Sequence, residues 1–95
     1  MVANEPHAFE YMKKAAEQDH AMAQHALGFM YSQGECTDAN PSEAEKWFLK
    51  AIDHGLTGSM TTLAMMYLQG DGVEKNQQKA RDLFAKAGMN PDDFM

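Results

Sequence analysis

The side chains able to do chemistry in this chain are four histidines, one cysteine and a surplus of carboxylates. His7, His20, His25 and His54 are the candidate metal ligands. A metal pair on a helix needs histidines at i and i+4, on one face. His20 and His25 stand five residues apart, and no His-Glu-x-x-His occurs, so no metal site is expected. Cys36 sits beside Glu35 with no basic cluster to draw out a thiolate. It reads as a bystander, or as a residue that pairs between two chains, rather than as a nucleophile. Gly70-Asp71-Gly72 has the glycines of a phosphate loop but no strand before it and no Lys-Ser/Thr behind it. Asp71 lacks the further oxygen ligands that calcium requires. The carboxylates fall mostly on polar helix faces, where nothing raises one pKa above its neighbour's for acid catalysis. No catalytic residue and no cofactor is expected.

Bulk properties narrow the partners. A net charge of −6 and a pI near 5.0 oppose binding to a phosphate backbone or an anionic membrane surface. No apolar run approaches the roughly 18 residues of a membrane span. The N-terminal MVANEPHAFEYMKKAAEQDH lacks the basic region and apolar run of a signal peptide. A single cysteine excludes an intrachain disulfide and fits a reducing compartment, so a cytoplasmic location is expected. Ninety-five residues with 44% hydrophobic content describe one small globular domain.

The elements that must position these residues are helices. Residues 1–5 carry little pattern and read as a lead-in. Pro6 suits a first helical turn, where its missing N–H costs nothing. Ala8, Tyr11, Met12, Ala15 and Ala16 then recur on one helical face. After the break at Asp19-His20, a second helix over Ala21 to Gln33 turns Ala23, Ala26, Leu27, Met30 and Tyr31 inward. Gly28 in mid-helix costs about 1 kcal/mol against alanine, which a close helix–helix approach would offset. Gly34 ends this helix in the left-handed conformation. Asn40 reads as an N-cap, Pro41 as the first helical residue and Glu43 as the acid of a capping box. A third helix follows with Ala44, Trp47, Phe48, Ala51 and Ile52 on one face, closed by His54-Gly55. A fourth, from about Gly58 to Gln69, buries Leu63, Ala64, Met66 and Tyr67. The Gly70-Gly72 turn leads to Asn76, the cap of a fifth helix that buries Ala80, Leu83, Phe84 and Ala87 and stops at Gly88. Asn90 to Asp93 start a last short turn, with Phe94 and Met95 folded back as a lid. No stretch alternates with period two, so no sheet is expected.

These helices are one pattern used repeatedly. Ala8, Ala44 and Ala80 are 36 residues apart, as are Lys14, Lys50 and Lys86, and Ala15, Ala51 and Ala87. In the same register Leu27 matches Leu63, Tyr31 matches Tyr67, Gly34 matches Gly70 and Asn40 matches Asn76. A bulky pair recurs as Tyr11-Met12, Trp47-Phe48 and Leu83-Phe84. A period of this size signals stacked helical hairpins. Each hairpin has two faces to cover and covers the second by stacking.

The pattern Ala-x-x-x-Leu-Gly-x-Met-Tyr-x-x-Gly-x-Gly-Val, followed by Ala-x-x-Trp-Phe-x-Lys-Ala, resembles the Sel-one-like repeat, a subclass of the tetratricopeptide-like repeats. The resemblance runs over residues 6–88. It implies an all-α fold, a short right-handed α-solenoid of antiparallel helix pairs, with about five helices and a C-terminal cap. The expected divisions are a leading helix at 6–18, a first repeat at 20–54, a second at 57–88 and a cap at 89–95. Two departures stand out. Gly34-Glu35-Cys36-Thr37 replaces Gly-x-Gly-Val, which predicts a distorted first loop. Ala64 replaces a glycine, which predicts a slightly wider helix pair.

In tetratricopeptide-like repeats the helix carrying Leu-Gly-x-x-Tyr lines the concave side, which would make that helix the binding surface here. The helical wheel places Met22, His25, Phe29 and Ser32 opposite the buried stripe of the second helix. The equivalent stripe in the fourth is Gly58, Thr61, Met65 and Leu68, and Gln33 and Gln69 stand at the rim. Met22, Phe29, Met65 and Leu68 thus point away from their own hairpin's core. They read as a shallow apolar groove for a helix or extended peptide, as packing between repeats, or as a dimer contact. The function expected is a non-catalytic protein–protein interaction module, monomeric or weakly dimeric, with a protein or peptide partner. The alternatives are a small acidic immunity or antitoxin-like inhibitor and, in another class, a hydrolase.

Overall fold

The computed structural model describes residues 6–93. The lead-in over 1–5 and the lid expected of Phe94 and Met95 lie outside the described residues. Five α-helices follow one another, α1 (Pro6–Glu17), α2 (Ala21–Gln33), α3 (Pro41–Asp53), α4 (Thr57–Gln69) and α5 (Gln77–Lys86), and a 3-10 turn spans Pro91–Asp93. No strand occurs among the described residues. Each helix packs chiefly on its neighbours in sequence, and the stack measures 40 × 23 × 21 Å. That elongation is what an α-solenoid built from successive hairpins requires.

The 36-residue period is written into the turns. Asn40 Oδ1 accepts the Glu43 amide at 3.2 Å, and Asn76 Oδ1 accepts the Lys79 amide at 3.0 Å. The amide of Asn40 donates to the Tyr31 carbonyl at 2.8 Å, as that of Asn76 does to Tyr67 at 2.9 Å. This second bond corrects the capping-box expectation. The Asn40 N–H that Glu43 would have accepted is already given to Tyr31, and the Glu43 carboxylate turns instead to Lys46 at 3.5 Å.

The first loop is not distorted. Gly34 and Gly70 have φ of 72° and 68°, and Cys36 stands at φ 63° where Gly72 stands at 76°. The chain keeps the loop's shape and carries the strain on a cysteine forced into the left-handed region. Asp19 at φ 71° likewise matches Gly55 at 80°. The period breaks at the end of α5, which stops at Lys86, one turn earlier than α3 would predict.

Two apolar clusters form the core, and adjacent residues of α3 belong to different ones. Trp47 joins Ala16, Ala23 and Leu27 of α1 and α2. Phe48 joins Leu63, Ala64 and Tyr67 of α4 and Ala80 and Phe84 of α5. Successive helical residues point about 100° apart, so one aromatic pair ties α1 and α2 on one side of α3 to α4 and α5 on the other. Gly28 admits this arrangement, since a Cβ there would meet the Phe48 ring at 2.9 Å. One expectation fails. Tyr11, placed on the core face by periodicity, is 73% exposed. Its repeat equivalent Trp47 is buried because α1 and α2 lie beneath it, and Tyr11 has no such pair of described helices under its ring.

Candidate interaction surface

The stripe of α2 and α4 that faces away from the hairpin cores divides into a packed part and an open part. His25 leaves α2 and reaches α4, where its Nδ1 lies 2.7 Å from Ser59 Oγ. The Phe29 ring stands edge-on to His25 at 5.4 Å and to Phe48 at 6.0 Å between centroids. The inner edge of this stripe is therefore stitched to the core. Leu68 is half-buried against the cluster around Phe48 and Phe84, and Ser32 is half-buried. Thr61 donates its hydroxyl to the carbonyl of Gly58 at 3.0 Å, so it faces a partner only as an acceptor.

The open part is apolar. Met22 is 67% exposed, Phe29 41% and Met65 39%, and Gln33 and Gln69 are exposed at the rim. Met22 also borders a hollow of about 430 Å³ between α1 and α2, lined by Met12, Ala15, Ala23 and Ala26 among others. Such surface is rarely left to water without a reason when several residues share a face. Methionine side chains adapt to differently shaped partners.

Two polar features of this region are absent from any reading of the sequence. Ser59 and His25 look like a nucleophile and base. Ser59 is fully buried, however, so a substrate carbonyl cannot reach its Oγ, and burial pushes the His25 pKa down. The bond holds two helices together. Gln24, also buried, donates from Nε2 to the Ala16 carbonyl at 3.1 Å and to Asp19 Oδ1 at 3.3 Å. Asp19 in turn meets His54 Nε2 at 2.9 Å, joining equivalent turns of successive hairpins. The His54 bond, then that from Gln24, holds the Asp19 carboxyl below its usual value. The match of Asp19 with Gly55 at a distance of 36 residues bears only on its left-handed backbone and carries no sign of the bond to His54. None of the described helices is long and apolar enough to cross a membrane.

Comparison with known proteins agrees with the repeat read from spacing. A family model described as the Sel1 repeat matches residues 1–20, 21–56 and 59–92. A Sel1 repeat protein from Oxalobacter formigenes superposes with a TM-score of 0.83 at 30% identity, over 87% of this chain and 63% of that one. The protective antigen c5321 of uropathogenic Escherichia coli, described as displaying an SLR fold, gives 0.83 at 32% identity, over 87% of this chain and 18% of its own. Helicobacter pylori cysteine rich protein B gives 0.78 at 28%, over 84% of this chain and 60% of its own. A chitin synthase regulator, SKT5, of Malassezia restricta is 38% identical over 48 residues, which are 50% of this chain and 3% of that protein. The chain thus spans less than two thirds of each of these relatives.

Proposed function

The chain belongs to the Sel1 repeat family, and on that premise we propose that it is a non-catalytic interaction module that receives a segment of another protein on the outward stripe of α2 and α4. Sel1 repeat proteins act as protein-interaction modules. The observation that carries the reading to this stripe is the exposure of Phe29 and Met65, 41% and 39%. They are equivalent positions of successive repeats, so a partner meets the same apolar chemistry at a regular interval. Rigid helices leave little backbone ordering to lose on binding, and the remaining cost falls on the flexible methionine side chains. The relative named as a regulator of chitin synthase is in keeping with action on another protein.

The test is photo-crosslinking in native cells from position 65, with position 81 on α5 as control, followed by titration of the captured protein. Met65→Asp and Met22→Asp, shown by thermal unfolding to stay folded, should weaken binding by about tenfold or more. Unchanged affinity in both variants would rule out this stripe.

A further inference from the structure

Repeat symmetry breaks on the other side of the molecule, between α3 and α5. Phe9 of α1 and Glu45 of α3 are equivalent positions, each beside the tyrosine of the next helix. In the first case the Phe9 ring stands edge-on to Tyr31, with centroids 5.6 Å apart at 86°, and Trp47 packs in the same cluster. In the second, the Tyr67 hydroxyl donates to Glu45 Oε2, and Leu83 stands where the repeat has Trp47. A carboxylate and a leucine fill less space than a phenyl and an indole. Two adjoining cavities open as a result, of about 430 and 360 Å³, with Glu45, Tyr67 and Lys79 common to both.

The two halves of this cleft differ in chemistry. Toward the Gly72 loop it is polar, with Ser42, Glu74 and Asn76 in the wall. Along the helices it is apolar, with Leu49 and Leu83, and Asp82 at the edge. Glu45, Glu74 and Asp82 face a single cation, Lys79, whose Nζ lies over the Tyr67 ring at 5.1 Å from its centroid. The N-terminus of α5 adds about half a positive charge, partly met by its Asn76 cap. The balance stays negative. Burial first, and then the Glu45 bond, push the Tyr67 phenol up, so it remains a donor and fixes the carboxylate in place.

We propose that this cleft binds a basic side chain together with a nearby apolar one, from an extended segment of a partner protein. The guanidinium or ammonium meets Glu45 and Glu74, and the apolar residue lies on Leu49 and Leu83. Glu45 and Leu49 are one helical turn apart, about 6 Å along the axis. Residues i and i+2 of an extended peptide span about the same distance. The site is separate from the α2–α4 stripe and stands whether or not that stripe binds.

The probe is the tripeptide N-acetyl-Leu-Ala-Arg-amide, titrated into the whole chain and followed by amide chemical shifts, with N-acetyl-Leu-Ala-Glu-amide as control. Saturable shifts at Glu45, Leu49 and Lys79 are expected with the arginine peptide and not with the glutamate peptide. Glu45→Gln, which keeps the shape, should weaken binding by about tenfold. Glu45→Phe, which rebuilds the ring of the first repeat, should abolish it while the protein stays folded. The proposal is overturned if the arginine peptide gives no saturable shift at these residues, if the glutamate peptide binds equally, or if Glu45→Gln binds like the parent.

Discussion

His25 Nδ1 and Ser59 Oγ meet at 2.7 Å, joining α2 to α4 across 34 residues of chain. Ser59 is fully buried, and its repeat equivalent is Ala23, so the repeat already accommodates a methyl group there. Ser59→Ala should therefore fit sterically and cost about 1 kcal/mol, the net worth of one hydrogen bond. Urea unfolding measures it. A loss of several kcal/mol would mean that the helices separate when the bond goes.

The same histidine predicts a pH dependence. Burial holds His25 below the ordinary value of 6.5, so the unfolded chain takes up the proton more readily than the folded one. Its contribution to stability is full above pH 6.5, declines as the pH falls through that value, and levels off below the lowered folded value. Asp19 acts at more acid pH. Its carboxyl is held below 3.8, first by the His54 bond and then by Gln24, so its contribution is present above that value and is lost as the pH falls through the folded one. The urea midpoint should fall in two stages with acidification. His25→Asn should remove the first stage and Asp19→Asn the second.

Gly28→Ala sets helix propensity against packing. Alanine gains about 1 kcal/mol in a helix interior, but the new Cβ lies 2.9 Å from a fully buried Phe48 ring, and overpacking costs about 1–3 kcal/mol. A net loss of about 1 kcal/mol is expected. In the next repeat Ala64 already occupies this position and is fully buried, so Ala64→Gly should also destabilise, by about 1 kcal/mol or more. Paired thermal unfolding of the two variants checks both signs.

Cys36 and Gly72 predict opposite outcomes at equivalent positions. Cys36→Gly relieves a left-handed backbone at φ 63° and should stabilise by about 0.5–1 kcal/mol after the greater freedom of an unfolded glycine is subtracted. Gly72→Ala adds a Cβ at φ 76°, 2.6 Å from Pro41 Cβ, and should destabilise by more than that. Denaturant midpoints of the two variants decide.

Trp47 separates mass from polarity in the core. It is buried, and its Nε1 has no partner, while Lys46 Nζ lies 5.0 Å from its ring centroid. Trp47→Ala should cost about 3–5 kcal/mol. Trp47→Phe keeps most of the ring and removes the unpaired donor, so it should cost clearly less. Calorimetry of both variants gives the comparison.

Local pattern carried the helices, the period and the asparagine caps at Asn40 and Asn76, because each is a local matter, though not the Glu43 half of the capping box. A left-handed turn favours glycine, and a buried stripe needs apolar residues every three or four positions. Tyr11 shows where this stops. Its periodicity is that of Trp47, yet burial depends on which helices lie beneath, and no local pattern encodes that. The candidate stripe was legible as a face of Met22, Phe29 and Met65. That His25 and Leu68 belong partly to the core was not, since the first is set by α2 meeting α4 at Ser59 and the second by the cluster around Phe48 and Phe84.

By itself the sequence determined that this is a repeating all-α chain with a period of 36 residues, because hydrophobic spacing and turn chemistry are properties of neighbouring residues. Only the tertiary structure decided what the unlike residues do. Glu45 in place of Phe9 and Cys36 in place of Gly72 are mere mismatches along the chain. Once α3, α4 and α5 are packed, the first becomes the wall of a cleft and the second a point of strain. The reason is that volume, charge and backbone conformation take effect only against the groups that folding brings within contact.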